Sequence, residues 1–286
     1  MEEKNKVEKS TLYLVGTPIG NLSDVTERAK KILSEVDFVA AEDTRNSQRL
    51  LSVLGIRTEI VSYHEHNKRA SGEKIVARLL SGESCALVTD AGMPAISDPG
   101  EDLVRLAADA GLCVTTVPGP TALVSALALS GLSTSRFVFE GFLSAKQSER
   151  RKRLAAIQSE DRTIIFYEAP HKLTATLSDM LAAFGEERKI AICRELTKLN
   201  EEICRTTLGK AVEIYREREP RGEYVLIVEG APENGGVSEE LTFLSPEQHV
   251  KIYTDSGMPK MDAIKKAAKE RGISKSELYK IINKDE

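Results

Sequence analysis

From residue 11 to about 130, short apolar runs alternate with amphipathic stretches. Thr11–Val15, Val36–Ala40, Glu59–Tyr63, Cys85–Val88 and Cys113–Val117 are strand-like: four or five residues, rich in β-branched and apolar side chains. Helical patterns fall between them. One runs from Asp24 to Ser34, where Asp24 and Glu27 have capping-box spacing. Another follows Gly100, with Leu103, Val104, Leu106, Ala107 and Ala110 recurring on one face. This alternation predicts a mostly parallel sheet with helices on both faces, an α/β domain over residues 11–131.

A second series fills residues 132–232. Its strands are Phe137–Phe139, Thr163–Tyr167, Lys189–Cys193 and Tyr224–Val228. A charged helix from Ser148 to Ser159 and another from about Lys172 to Ala183, ending at Gly185, lie among them. Two α/β domains side by side offer a cleft, a favoured place for a ligand. Pro232-Glu233-Asn234-Gly235-Gly236 reads as a linker. Residues 240–286 then read as three short helices: one started by Ser245 and Pro246, one over Met261–Glu270, and one capped by Ser274 with Glu277. A tight turn at Arg271-Gly272-Ile273 gives this part the look of a helix-turn-helix unit.

A length of 286 residues suits two domains and a small appendage. A net charge of −4 argues against a protein that coats nucleic acid by bulk charge, but not against a local basic patch. The tail is such a place, with nine Lys and Arg against seven Asp and Glu from Pro246 to Glu286. Cys85, Cys113, Cys193 and Cys204 lie in or beside apolar runs without metal spacing, so four buried thiols in a reducing compartment are expected. His64 and His66, two residues apart with no further ligands, suit a polar loop or RNA contact better than a metal; no metal is expected. Met1-Glu2-Glu3-Lys4-Asn5-Lys6 leads into the first strand without an apolar signal region, and no run approaches the ~20 residues of a membrane span, so a cytoplasmic location is expected.

The candidate chemistry sits where strands hand over to helices, the place where open α/β sheets bind ligands. Thr89-Asp90-Ala91-Gly92-Met93-Pro94-Ala95-Ile96-Ser97-Asp98-Pro99-Gly100 is long for such a connection and rich in Pro and Gly, so it can hold backbone against a ligand at low entropic cost. Gly16-Thr17-Pro18-Ile19-Gly20-Asn21-Leu22 and Pro118-Gly119-Pro120-Thr121-Ala122-Leu123 occupy equivalent places. None is a GxGxxG turn or a Walker loop, which makes NAD and nucleoside triphosphates weak readings. Glu42-Asp43-Thr44-Arg45 follows the second strand in the same way. In the second half, Glu168, His171, Arg194, Glu195 and Lys198 gather at strand ends, either as acid–base groups or as a solvated rim of ion pairs. Arg150, Arg151, Lys152 and Arg153 read as a solvated helix face or as phosphate contacts.

Together these segments resemble the bacterial small-subunit ribosomal RNA methyltransferase I family of the tetrapyrrole-methylase-like superfamily. The likeness rests on Asp90–Gly100 and extends through Val15–Asn21, Ala41–Arg45, Pro118–Ala122, Tyr167–Lys172, Arg194–Lys198, Gly222-Glu223-Tyr224 and the terminal helices. It implies two α/β domains, a homodimer, and S-adenosylmethionine in the interdomain cleft. It also implies methylation of the ribose 2′-oxygen of a decoding-centre cytidine in 16S rRNA, with the 30S subunit as partner. Carried over by position, the cofactor wall would be Pro18, Asp90, Met93, Thr121, Ala122, Tyr167, Leu196 and Glu223. A ribose hydroxyl is a poor nucleophile that a base would assist, and Glu168, His171, Glu195 and Lys198 are the positional candidates. RNA contacts are expected from Arg45, Arg150, Arg151, Arg153, Lys260, Lys265 and Lys275. Two alternatives stay open: a tetrapyrrole or corrinoid methyltransferase, which gives no reason for the tail, and a non-catalytic ribosome-assembly factor, which gives none for so many constrained loops.

Overall fold

The computed structural model describes residues 6–232, 244–271 and 273–282. The first residues of the amino terminus, linker positions 233–236, the start of the expected tail at 240 and Gly272 of the expected turn lie outside them. The first series forms β1 (Thr11–Val15), α1 (Glu27–Glu35), β2 (Phe38–Ala41), α2 (Thr44–Val53), β3 (Glu59–Ser62), α3 (Lys68–Leu80), β4 (Cys85–Val88), α4 (Gly100–Asp109), β5 (Cys113–Val117) and α5 (Ala122–Ser130). Its sheet has the order β3-β2-β4-β1-β5, and every pairing is parallel. Both faces are covered, which is why the strands read as continuous apolar runs. Tyr13, Val15, Val39 and Val88 pack towards α1 and α2, and Leu12, Phe38, Cys85 and Leu87 towards α3 and α4.

The second series forms β6 (Phe137–Phe142), α6 (Gln147–Ala156), β7 (Thr163–Glu168), α7 (Pro170–Phe184), β8 (Lys189–Arg194), β9 (Glu202–Thr207), α8 (Leu208–Glu217) and β10 (Tyr224–Val228). Its sheet, β6-β7-β10-β8-β9, is mixed: only β6 and β7 run parallel. Because β10 runs against β7 and β8, its first residue Tyr224 lies opposite both Glu168 and Arg194. The ends of β7 and β8 and the start of β10 thus share one edge. On one face Ile164, Phe166, Ile192 and Leu226 meet α7 and α8. On the other, Ile165, Ala191, Cys193, Val225 and Ile227 pack against Leu123, Ala126 and Leu127 of α5. So α5, which follows the last strand of the first sheet, lies on the second and joins the two; its opposite side, with Val124 and Leu129, stays exposed. Arg205 on β9 adds hydrogen bonds to the Leu129 carbonyl, at 3.2 Å from Nε and 2.5 Å from Nη2.

Three local expectations need correction. Asp24 does not cap α1: Leu22–Asp24 is a short 3-10 turn, and the Thr26 hydroxyl accepts the Ala29 amide at 3.0 Å. Of the four cysteines, which are all free thiols, only Cys85 and Cys193 are buried. Cys113 is exposed and Cys204 half-buried because β5 and β9 are the edge strands of their sheets. Finally, β9 stands where no strand was expected.

After the linker come α9 (Pro246–Asp255), α10 (Lys260–Glu270) and α11 (Lys275–Ile282). A full capping box of Ser245 and Gln248 starts α9. The three helices close on their own core of Val250, Ala263, Ile264, Ala267, Ala268 and Leu278. Arg271 ties the chain entry to this core, donating to His249 Nδ1 at 3.0 Å and to the Ser245 carbonyl at 3.0 Å. Among the described residues no helix is long and apolar enough to cross a membrane.

Candidate active site

Three loops of the first sheet are pinned to one another at a single point. Thr17 and Gly92 exchange backbone hydrogen bonds at 2.9 and 3.1 Å, joining the loops after β1 and β4. The Gly16 amide donates to the Val117 carbonyl at 3.2 Å, joining β1 to β5. Gly16 and Gly119 touch so closely that a Cβ on Gly16 would stand 2.7 Å from the Gly119 Cα and 2.7 Å from Met93 Sδ. Only glycine admits this approach. Asp98 shapes the β4 loop from inside, its carboxylate accepting the amides of Ala95 at 3.0 Å, Ile96 at 3.2 Å and Gly100 at 2.8 Å.

Facing these loops across a cleft is the shared edge of the second sheet. Its loop after β8 is fixed by a triad: Lys198 Nζ bonds Glu195 at 2.9 Å and Glu223 at 2.8 Å, and Glu195 also accepts the Glu223 amide at 3.0 Å. Both loops hold non-glycine residues in the left-handed region: Ala95 (φ 69°) and Ser97 (φ 64°) on one side, Glu195 (φ 52°) and Thr197 (φ 66°) on the other. Such residues cost about 1–3 kcal/mol each and persist where the surroundings over-determine them, typically at functional sites. Among the described residues only Ser10 otherwise shares this conformation. On β6 a bulge at Phe139/Gly141, with Gly141 at φ +63°, lets Ser97 approach, so that a Cβ there would lie 3.2 Å from Ser97 Oγ.

The cleft encloses about 280 Å³. Its walls hold seven of the eight residues expected to form a cofactor site: Asp90, Met93, Thr121, Ala122, Tyr167, Leu196 and Glu223. Pro18 is not among them; Ile19, the next residue, lines the cleft instead. Thr121 is the N-cap of α5, yet its side chain makes no capping hydrogen bond. Tyr167 stacks edge-on with Phe139 at 4.9 Å and tilts against Phe142 at 5.5 Å. Phe142, 56% exposed, and Ile96, 46% exposed, stand in the cleft wall as well. The charged lining residues are Glu42, Asp90, Asp98, Glu168 and Glu223: all are acidic, and no Lys, Arg or His is with them. A larger hollow of about 900 Å³ lies at the opposite end of the second sheet, where Arg136, Arg162, Arg188 and Lys189 are balanced by Asp161, Glu186, Glu187 and Glu229.

The four acid–base candidates are spent on structure or placed elsewhere. Glu168 lines the cleft, but it is buried, pairs with Lys172 at 2.9 Å, and accepts the Thr176 hydroxyl at 2.5 Å and the Ala169 amide at 2.8 Å. His171 is exposed on the first turn of α7 and does not line the cleft. Glu195 and Lys198 lie behind the wall and hold each other charged. Burial pushes the Glu195 carboxyl up, but the Glu223 amide and Lys198 outweigh it and hold it below the usual range. Burial likewise opposes the Lys198 charge, and Glu223 and Glu195 more than restore it. Arg194 is paired with Glu202 at 3.2 Å. Arg194, Glu195 and Lys198 thus form a partly covered rim of ion pairs, whereas Glu168 belongs to a buried ion pair.

Glu42, noted in the sequence only as part of the strand-end segment Glu42–Arg45 and given no role there, is a cleft group. It follows β2 directly, and its Oε2 accepts the Thr89 hydroxyl at 3.0 Å. Burial raises its carboxyl above the ordinary range, Asp90 and Asp98 add to the rise, and Thr89 and His64 oppose it. Its place at a strand end was visible; that the β4 loop would close over it was not.

The expected RNA contacts divide. Arg150 is not available to a phosphate: it is 4% exposed and its Nη2 pairs with the buried Asp179 at 2.7 Å, because this one position of the charged α6 faces α7. Arg151 shares Asp179 at 2.7 Å, and Arg153 pairs with Glu140 at 2.6 Å, though both keep much of their side chain exposed. Arg45 is exposed beside Asp43, and Lys260, Lys265 and Lys275 are exposed on the terminal helices.

Residues 11–212 match the sequence family described as Tetrapyrrole (Corrin/Porphyrin) Methylases. A protein of Halalkalibacterium halodurans called ribosomal RNA small subunit methyltransferase I is 49% identical over 280 residues, 97% of this chain and 96% of that one. Its namesake in Bacillus subtilis strain 168 is 46% identical over 282 residues, 98% of this chain and 96% of that one. Among solved structures, a diphthine synthase superposes with a TM-score of 0.60 at 15% identity, covering 77% of this chain and 90% of that one. A cobalt precorrin-4 methyltransferase does so with a TM-score of 0.58 at 18% identity, covering 77% and 95%. These two likenesses concern the fold.

Proposed function

The chain belongs to the ribosomal RNA small subunit methyltransferase I family within the tetrapyrrole methylases, and from that premise we propose what its cleft does. The protein is an S-adenosylmethionine-dependent ribosomal RNA methyltransferase. The group it methylates is the ribose 2′-oxygen of a cytidine in the decoding centre of 16S rRNA, presented on the 30S subunit.

The observation that carries the reading is the charge of the cleft wall. Of its five carboxylates, Glu168 and Glu223 are balanced by Lys172 and Lys198 behind the wall, but Glu42, Asp90 and Asp98 form no ion pair among the described residues. With no basic side chain among the lining residues, the wall favours a cation and repels phosphates. A sulfonium with an α-amino group suits such a wall; a dinucleotide or a nucleoside triphosphate does not. The apolar side chains of Ile19, Met93, Leu196 and Val225 offer a surface for adenine. In this reading Asp90, Met93, Thr121, Ala122, Tyr167, Leu196 and Glu223 hold the donor, with Ile19 in place of Pro18. When bound, the donor supplies a methyl group on a positively charged sulfur.

The protein's own contribution is positioning. In-line displacement needs acceptor oxygen, carbon and sulfur on one line, so rigid loops account for much of the rate. Asp98 with its three amides, the Gly16–Gly119 contact and the Glu195–Lys198–Glu223 triad supply that rigidity. Phe142 and Ile96 offer an unstacked base an apolar surface and keep water out. Arg45, Arg151, Arg153 and the terminal lysines Lys260, Lys265 and Lys275 serve as phosphate contacts that set register. The likeness to the Bacillus subtilis relative spans 282 residues and so runs into the helical tail, which supports an RNA role for it. A homodimer, a cytoplasmic location and a division at 11–131, 132–232 and 240–286 complete the proposal.

The test is incubation with methyl-labelled S-adenosylmethionine and three acceptors separately: 30S subunits, naked 16S rRNA and a tetrapyrrole. Label in RNA alone supports the reading. Label in the tetrapyrrole overturns it, and donor binding without any transfer would make the protein an assembly factor.

A further inference from the structure

We propose that Glu42 is the general base that takes the proton of the acceptor hydroxyl during methyl transfer. The proposal rests on reading the cleft as the methyl-donor site.

Three of the five cleft carboxylates are committed elsewhere. Asp98 spends both oxygens on the amides of its own loop. Glu168 is saturated by Lys172, Thr176 and Ala169. Glu223 holds Lys198. Asp90 and Glu42 remain, and they differ in how they are held. Asp90 lies on the loop that carries Met93 and has no side-chain hydrogen bond among the described residues. Glu42 is oriented at Oε2 by the Thr89 hydroxyl, and no other hydrogen bond to its carboxylate is present among the described residues. Glu42 lines the cleft, and its Oε1 is thus left free to accept, on a carboxylate oriented by a partner that does not neutralise it. Asp43, its neighbour in sequence, turns away to cap α2 by accepting the Arg45 amide at 2.8 Å.

A general base works best when its affinity for the proton lies near the working pH. The charged groups facing Glu42 are Asp90 and Asp98 from the β4 loop and His64 from the segment after β3. Partial burial and the two aspartates strengthen Glu42 as a base, and Thr89 and His64 moderate the effect. No Lys or Arg lines the cleft to cancel it.

The step balances without a further reagent. As the ribose oxygen bonds to the methyl carbon, the carbon–sulfur bond of the donor breaks and its electron pair stays on sulfur. The hydroxyl proton passes to Glu42, which later releases it to solvent. The neutral thioether and the methylated ribose are the products.

The test uses the full-length protein with the Glu42→Gln and Glu42→Asp variants. Calorimetry with S-adenosylmethionine should show both variants binding within about threefold of the parent. Single-turnover transfer to 30S subunits should fall at least ~100-fold in Glu42→Gln and less in Glu42→Asp. In the parent the rate should fall as pH drops through the Glu42 titration, and this limb should be absent from what remains in Glu42→Gln. A readout independent of turnover is carboxyl-carbon NMR of glutamate-labelled protein. One resonance titrating above the ordinary glutamate range should be missing from Glu42→Gln. Transfer by Glu42→Gln within tenfold of the parent would overturn the proposal. So would loss of donor binding in that variant alone, which would make Glu42 a donor ligand. If the parent itself fails to bind the donor, the reading of the cleft falls instead. Should Glu42→Gln fail to fold, the parent titration and Glu42→Asp decide: no raised glutamate, or an unaltered rate and pH limb in Glu42→Asp, would refute the role.

Discussion

Replacing Gly16 with alanine inserts one methyl group where the loops after β1, β4 and β5 converge. Its Cβ would lie 2.7 Å from the Gly119 Cα, 2.9 Å from the Gly119 nitrogen and 2.7 Å from Met93 Sδ. Comfortable carbon–carbon contact is ~3.5–4.0 Å, so the first distance is short by about 1 Å. Met93 is a flexible side chain and can step aside. Gly119 presents main chain, already tied to β1 by the Gly16 amide and the Val117 carbonyl, and cannot. The two loops must therefore part, and Met93, Thr121 and Ala122 move with them. Overpacking of this kind costs about 1–3 kcal/mol. If the cost falls on the donor-bound state, it weakens binding about 5- to 150-fold. Calorimetry with S-adenosylmethionine should show that loss, and a thermal melt should show a lower melting temperature. Gly119→Ala, whose Cβ would sit 2.9 Å from the Gly16 Cα, should behave alike. An alanine variant with parental affinity and melting temperature would show that the loops are not packed against each other as described.

Asp90→Ala should abolish measurable S-adenosylmethionine binding in calorimetry while circular dichroism stays unchanged; parental affinity would remove Asp90 from the donor site. Asp179→Ala strands the buried Arg150 and should cost about 3–5 kcal/mol in denaturant unfolding, with the loss reduced in the Arg150→Met, Asp179→Leu double variant. Burial pushes the Asp179 carboxyl up, but Arg151 and Arg150 outweigh it and hold it below the ordinary range. Its contribution is therefore full above the unfolded-state value and is lost as pH falls through the lower folded one, so parent and variant should converge in acid. Deleting residues 240–286 should weaken binding to 16S rRNA and flatten its dependence on salt in filter binding; identical salt slopes would refute phosphate contacts by the tail.

What the sequence made legible follows from periodicity and loop chemistry. Strands buried on both faces announce themselves as apolar runs, so the bounds of β1, β4 and β10 follow from the sequence to the residue; those of the edge strand β5 follow from its β-branched Val and Thr. The strand β9 was missed because Glu202-Ile203-Cys204-Arg205-Thr206-Thr207 is a half-exposed edge whose charges serve ion pairs such as Arg218–Glu202. Asp24 and Thr26 both stand three residues before a helical position, and only the 3-10 turn at Leu22–Asp24 decides between them. Arg150 could not be told from Arg151, Lys152 and Arg153, since both Arg150 and Arg151 reach Asp179 on α7 and the difference lies in which of them is buried there. The cleft loops were visible from their Pro and Gly content. The division of labour among their carboxylates was not, because it depends on partners far away in sequence, such as Thr89 for Glu42 and Thr176 for Glu168.

The most direct measurement is nucleoside mass spectrometry of 16S rRNA from a strain lacking this gene, before and after its 30S subunits are incubated with the purified protein and S-adenosylmethionine. A single 2′-O-methylcytidine in the decoding region, absent beforehand and restored by the parent but not by Asp90→Ala, is the predicted result. A methyl group on a base, at another nucleotide, or on no RNA at all would contradict it.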